Sequence, residues 1–104
     1  MELTTLETVP GKTITRHLGL VQGSTVRSKH VGKAILGGHK NFLGGELKSY
    51  TALLNESRNE ALERMIEQAR TAGANAVVNI RFSTSNIAAG AAEVMAYGTA
   101  VVVA

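Results

Sequence analysis

The hydrophobic and polar positions change period three times along the chain. From Glu46 to Ala72 neither Pro nor Gly occurs. Leu47, Tyr50, Leu54, Ala61, Leu62, Met65, Ile66, Ala69 and Ala72 recur at steps of three and four. This spacing predicts one long amphipathic helix with a broad apolar stripe, because side chains three or four apart share a face. Glu46, Lys48, Asn55, Glu56, Asn59, Glu60, Glu63, Arg64, Glu67 and Arg70 cover the opposite side, with Glu60 and Arg64 in the favourable i,i+4 order. Gly73 marks the stop, since a helix ends readily on a left-handed residue that glycine adopts without strain. The period then becomes two. In the strand expected over Ala76 to Ser85, Val78, Ile80 and Phe82 alternate with Val77, Asn79 and Arg81.

The remaining elements follow from the same patterns. Leu3 to Val9 reads as a small strand or extended arm, and Pro10-Gly11 is a turn signal. Lys12 to Val26 alternates as a long strand, with Gly19 and Gly23 suggesting a bulge or bend. Ser28 to Phe42 carries a short helical pattern behind a Ser28 N-cap, punctuated by Gly37-Gly38 and Gly44-Gly45. Asn86 to Gly90 is expected to turn. Ala91 to Val103 is a last strand apolar on both faces, which suits a central position. The prediction is an α+β, two-layer fold, β-α-α-β-β. Its mostly antiparallel sheet has the order 1-3-2, with helices on one face and a short N-terminal strand besides. The crossover is expected to be right-handed. The other face has no element left to cover it, which predicts self-association through that face or through strand edges.

Composition narrows the function classes. The chain has 104 residues, enough for a single domain over residues 1–104. It has no cysteine, so disulfides, thiolate metal sites and cysteine nucleophiles are excluded. No N-terminal pattern of a signal peptide and no membrane-spanning apolar run is present, and a cytoplasmic location without membrane partners is the expectation. The net charge is +3, with a basic cluster at Arg27, Lys29, Lys33 and Lys40. Without interleaved aromatics beyond Phe42, this cluster does not point to nucleic acid.

Chemistry-bearing residues are sparse. The nitrogen ligands are His17, His30 and His39, with no ligand-like spacing between them. They could build a metal site only if symmetry assembled them. Gly37-Gly38-His39-Lys40 reads as a helix end with a hinge rather than a phosphate loop. No nucleophile elbow, triad or dinucleotide fingerprint occurs. Catalysis is therefore not expected, and no cofactor is predicted.

Two charged features stand out. Arg58, four after Leu54 and seven before Met65, is expected in the middle of the apolar stripe. There it either snorkels out at a subunit edge or meets a buried partner or ligand anion. Arg81 and Glu93 are expected to face each other across the last hairpin, if its turn centres near Ile87 and Ala88. Tyr50, Arg58, Asn79, Arg81 and Glu93 are the candidates for a ligand site or interface. Whether Arg58 or Arg81 partners Glu93 depends on which sheet face Glu93 occupies.

The Pro10-Gly11 turn before the first long strand, the run from Gly44 to Phe82, and the closing GTAVVV together resemble the YbjQ-like family of small uncharacterised bacterial proteins. The most specific matches are Gly44-Gly45, Tyr50, Arg58, GANAVV at Gly73 to Val78, and Gly98-Thr99-Ala100. The resemblance covers roughly Thr4 to Val103. It implies a two-layer subunit similar in plan to the dodecin-like fold, assembled as a homopentameric ring. It implies little about activity, although the family is often labelled a heavy-metal-binding domain.

Overall fold

The computed structural model describes residues 1–28, 47–88 and 91–104. The elements are β1 (Glu2–Leu3), β2 (Ile14–Ser28), α1 (Leu47–Thr71), β3 (Ala76–Ala88) and β4 (Ala91–Val103). Ser28, expected as a helix N-cap, is instead the last residue of β2, paired with Ala91, and the rest of the helix expected over Ser28 to Phe42 lies outside the described residues.

Helix α1 forms where the 3.6-residue period runs. Its end is a Schellman motif: the Ala74 amide donates to the Ala69 carbonyl and the Gly73 amide to the Arg70 carbonyl, each at 3.0 Å. Gly73 takes φ +92°, the left-handed conformation this motif needs. Pro10 and Gly11 form a turn closed by the Lys12 amide donating to the Val9 carbonyl at 3.0 Å, with Gly11 at φ +80°. Pro at the first central position and left-handed Gly at the second define type II.

The sheet has four strands in the order β1-β3-β4-β2, and it is mixed. β4 pairs antiparallel with both β2 and β3, whereas β1 pairs parallel with β3 through Glu2↔Ala76 and Leu3↔Val77. The expected, mostly antiparallel order 1-3-2 is corrected to this four-stranded mixed sheet: the last strand lies between the other two long ones, and the short N-terminal strand adds a parallel edge. The N-terminal segment is an integral edge strand because β3 offers it free backbone groups. The Glu2 amide donates to Asn75 and the Thr4 amide to Val77, while the Ile80 and Asn79 amides donate back to Thr4 and Leu6.

Helix α1 covers one sheet face. The row Ser57, Ala61, Met65 and Ala69, four residues apart, is fully buried. It packs on Val21, Val77, Ile80, Val94, Ala96 and Ala100. These side chains are small, so the helix comes close to the sheet. Ser57 is satisfied by donating to the Leu53 carbonyl at 2.8 Å.

The opposite face is partly covered, which corrects the expectation that nothing in the chain was left for it. The loop after β1 carries Val9, 6% exposed, onto Ala76, Val78, Val101 and Val103, with Ile14 beside them. Beyond that end no described residue covers the face. Leu20 and Val26 of β2 are 69% and 60% exposed, and Ile87 of β3 is 54% exposed.

Two of the four register shifts in the sheet carry a residue of positive φ. Asn79 takes φ +56° and shifts the β3/β4 register between Val78 and Arg81. This extra residue puts Val77 and Ile80, three apart, on the same helix-facing side, as both belong to the main core. Gly19, at φ +100°, lies at a second register shift, in β2.

Candidate functional site

The long-range polar contacts of α1 gather on its β2 flank. Glu60 accepts from Arg27 of β2 at 2.5 Å and is 3.3 Å from Arg64 one turn on. Arg27 also stands 3.9 Å from Glu56. The Arg27 hydrogen bond holds the Glu60 carboxyl below the usual carboxylate range, with the Arg27 and Arg64 charges adding to it against partial desolvation. One and two turns along, the helix reaches the strand's backbone: Arg64 donates to the Ser24 carbonyl at 2.7 Å, and Gln68 accepts from the Gln22 amide at 2.7 Å. These groups lie on the side of β2 away from β4, so the helix closes this sheet edge with its own side chains.

The sequence candidates do not converge. Arg58 is exposed and donates to the Asn55 side chain three residues earlier. Its expected place in the buried stripe is corrected: the row facing the sheet runs Ser57, Ala61, Met65, Ala69, and Arg58 sits one residue round the helix from it. Tyr50 lies in the first turn of α1, but its side chain is outside the described part. Asn79 is exposed at the β3 bulge.

Arg81 and Glu93 are not opposite each other. Arg81 pairs with Tyr97, and Glu93 lies between Ser85 of β3 and Val26 of β2. The reason is the turn. β3 continues to Ala88, which pairs with Ala91, so the ladder is displaced from one centred at Ile87 and Ala88. Arg81 donates to the carbonyls of Thr5 and Ile80, each at 2.9 Å, and so fastens the N-terminal arm. Glu93 is half-buried on the open sheet face, with no hydrogen bond or ion pair to its carboxylate among the described residues. Arg58, on the helix side, is not its partner within the chain.

The histidines fare similarly. His17 is exposed on β2, paired with Val101 and hence on the sheet face opposite the helix. His30 and His39 lie outside the described residues. Among the described residues no three His, Asp or Glu side chains come close enough to hold a metal ion. The described residues of one chain therefore do not by themselves fit a heavy-metal site.

The sequence reading missed the Arg27–Glu60 bridge, the Arg64 and Gln68 contacts to β2, and Asn75. The Asn75 side chain accepts from the Val103 amide at 2.8 Å and donates to its carbonyl at 2.9 Å, extending the sheet by one rung. Glu56, Glu60, Arg64 and Gln68 recur every four residues, and that charged row was the available signal.

Among the described residues, one helix laid across one face of a mixed four-stranded sheet, with an N-terminal arm pinned to the edge, defines a small two-layer α+β module. The chain belongs to the YbjQ-type family whose model carries the description "Putative heavy-metal-binding", matched over residues 1–104. It is 66% identical to a UPF0145 protein of Hahella chejuensis over 98% of both chains. It is 59% identical to a UPF0145 protein of the archaeon Archaeoglobus fulgidus, over 95% of this chain and 92% of that one. In fold it is similar to a crystal structure from Pediococcus pentosaceus of a DUF74-family protein with unknown function. That match has TM-score 0.69 and 15% identity, covering all of this chain and 98% of that one. No helix among the described residues is long and apolar enough to cross a membrane.

Proposed function

We propose that the chain is a self-assembling module, a homopentamer that acts as a structural or small-ligand-binding unit without catalysis of its own. One observation carries this reading: beyond the N-terminal loop, no described residue covers the sheet face opposite the helix. That face presents Leu20 and Val26, each more than half exposed, beside the half-buried Met95, Tyr97 and Glu93. Exposed apolar side chains rimmed by polar ones on a sheet face suit contact with another copy. Any ligand would sit where copies meet, near Arg58, Asn79, Arg81 and Glu93, with Tyr50 close by in sequence. Light scattering after size exclusion tests the assembly. Five copies of a 10.9 kDa chain give about 55 kDa, and a monodisperse monomer at micromolar concentration overturns the reading.

The family description favours a second reading, heavy-metal binding by histidines that symmetry brings together. His17 is exposed on the open face and available for such a site. Calorimetry with zinc, copper and nickel on wild type and on a variant with His17, His30 and His39 changed to Ala tests it. Heat that survives the triple substitution excludes the histidine site.

A further inference from the structure

The described residues form two apolar clusters, and no residue belongs to both. The larger joins the helix to the sheet; the smaller, on the other face, is Ala76, Val78, Val101 and Val103 closed over by Val9, with Ile14 beside them. Val9 is the one buried side chain of residues 1–12, whereas Leu3 and Leu6 are 39% and 55% exposed. The arm's backbone bonds run to a single stretch, Asn75 to Ile80: the Glu2 and Thr4 amides donate to Asn75 and Val77, and the Asn79 and Ile80 amides donate to Leu6 and Thr4. β1 adjoins β3 and no other strand. Two further ties are Arg81 to the Thr5 carbonyl and the exposed Lys12–Glu2 pair, and an exposed pair adds little. Past the arm, Thr13 is fixed by reciprocal backbone bonds to Ala104, each at 3.0 Å. Between latch and anchor lies the Pro10-Gly11 turn, where a Cβ added to Gly11 would meet nothing within 4 Å. No packing at that point opposes a change in the turn's shape.

We infer that residues 1–9 form a strap that leaves and rejoins the sheet as one unit, hinged at Pro10-Gly11 and latched by Val9, while the helix-packed sheet stays folded. Opening removes one buried valine and a few backbone bonds at a sheet edge. The β3–β4 ladder and the larger cluster keep their contacts, so opening draws on a small part of the total stability, as a sub-global unit does. The open strap bares the Asn79 and Ile80 amides and the Asn75 and Val77 carbonyls, releases Arg81 from Thr5, and uncovers Val78, Val101 and Val103. These groups stand at the one covered end of the sheet face opposite the helix. The state of the strap therefore decides how much of that face is accessible, and it does so within a single chain, whether or not copies associate.

Native-state amide exchange on the full chain, read by nuclear magnetic resonance at several urea concentrations below the unfolding transition, tests the strap. In wild type the Thr4, Asn79 and Ile80 amides are expected to be protected at least about tenfold less than the helix-interior amides of Met65 and Ala69. Their exchange should also rise only shallowly with urea, because little surface is exposed on opening. Val9→Ala, which weakens the latch, and Gly11→Ala, which strains a hinge at φ +80°, should each speed all three together by about tenfold. Leu6→Ala, on an exposed side chain, should leave them within about twofold. If the three amides share the protection and urea dependence of Met65 and Ala69, the arm separates only when the whole chain unfolds, and the strap is overturned. Unequal responses of the three to Val9→Ala overturn opening as one unit, and no response overturns Val9 as the latch.

Discussion

Gly23 of β2 and Ala61 of α1 are in backbone contact. A Cβ placed on Gly23 would stand 2.4 Å from the Ala61 carbonyl oxygen, 2.4 Å from the Met65 amide nitrogen and 2.6 Å from the Arg64 Cβ. Two of these neighbours are backbone atoms, so the helix cannot yield without lifting off the sheet. Gly23→Ala is expected to cost about 1–3 kcal/mol of stability, as overpacking of a close contact does. Lifting would also stretch the contacts of Arg64 and Gln68 to Ser24 and Gln22. A urea titration checks this, and an unchanged midpoint would mean that the helix is less tightly seated.

Met65 is fully buried between Ala61 and Ala69 at the middle of the helix's sheet-facing row. Met65→Ala is expected to lose about 2–5 kcal/mol, the cost of the missing apolar contacts together with the void left behind. Leu20→Ala, on a residue 69% exposed, serves as the comparison. At concentrations where the chain is dispersed, Leu20→Ala should change stability by no more than about 0.5 kcal/mol. Differential scanning calorimetry separates the two.

Asn79 occupies the left-handed region at φ +56°. Asparagine tolerates this conformation far better than a β-branched residue. Asn79→Gly is expected to be close to neutral, and Asn79→Val to destabilise by about 1–3 kcal/mol. The valine should also loosen the N-terminal arm, because the Asn79 amide donates to Leu6 at 2.8 Å. Faster amide exchange at Thr4 and Ile80 is the readout.

Glu60 supplies a pH dependence whose sign follows from its lowered pKa. Folding favours the ionised form, so the contribution is fully present above the ordinary carboxylate value of 4.5 and is lost as pH falls through the lower folded value. Wild type should therefore exceed Glu60→Gln in thermal stability at neutral pH, and the gap should close on acidification below that range. A gap that stays constant with pH would assign the effect to packing rather than charge. Glu2, lowered by its hydrogen bond to Lys12 and by the Lys12 charge, should show the same trend on the arm.

The helix, its Gly73 stop, the Pro10-Gly11 turn and the Ala91–Val103 strand were legible because each depends on local periodicity or on one residue's backbone preference. The Arg58 reading failed for a geometric reason. A stripe assembled from steps of three and four is broad, and only contact with the sheet selects Ser57, Ala61, Met65 and Ala69 as the buried row, leaving Arg58 on its flank. Arg81 and Glu93 failed on register. Moving the turn towards the end of the hairpin changes every partner along the ladder, and no residue near Ile87 signals that β3 runs on to Ala88.

The sequence by itself determined the long helix and its stop, where the long strands lie, and which family the chain resembles, since these follow from side-chain period, glycine conformation and residue identity. Only the tertiary structure decided that the N-terminal segment joins the sheet as a parallel edge strand. The same is true of the helix closing the β2 edge with Arg64 and Gln68. These depend on which backbone hydrogen bonds remain unpaired and on how the helix is rotated over the sheet, quantities set by contacts between residues distant in the chain.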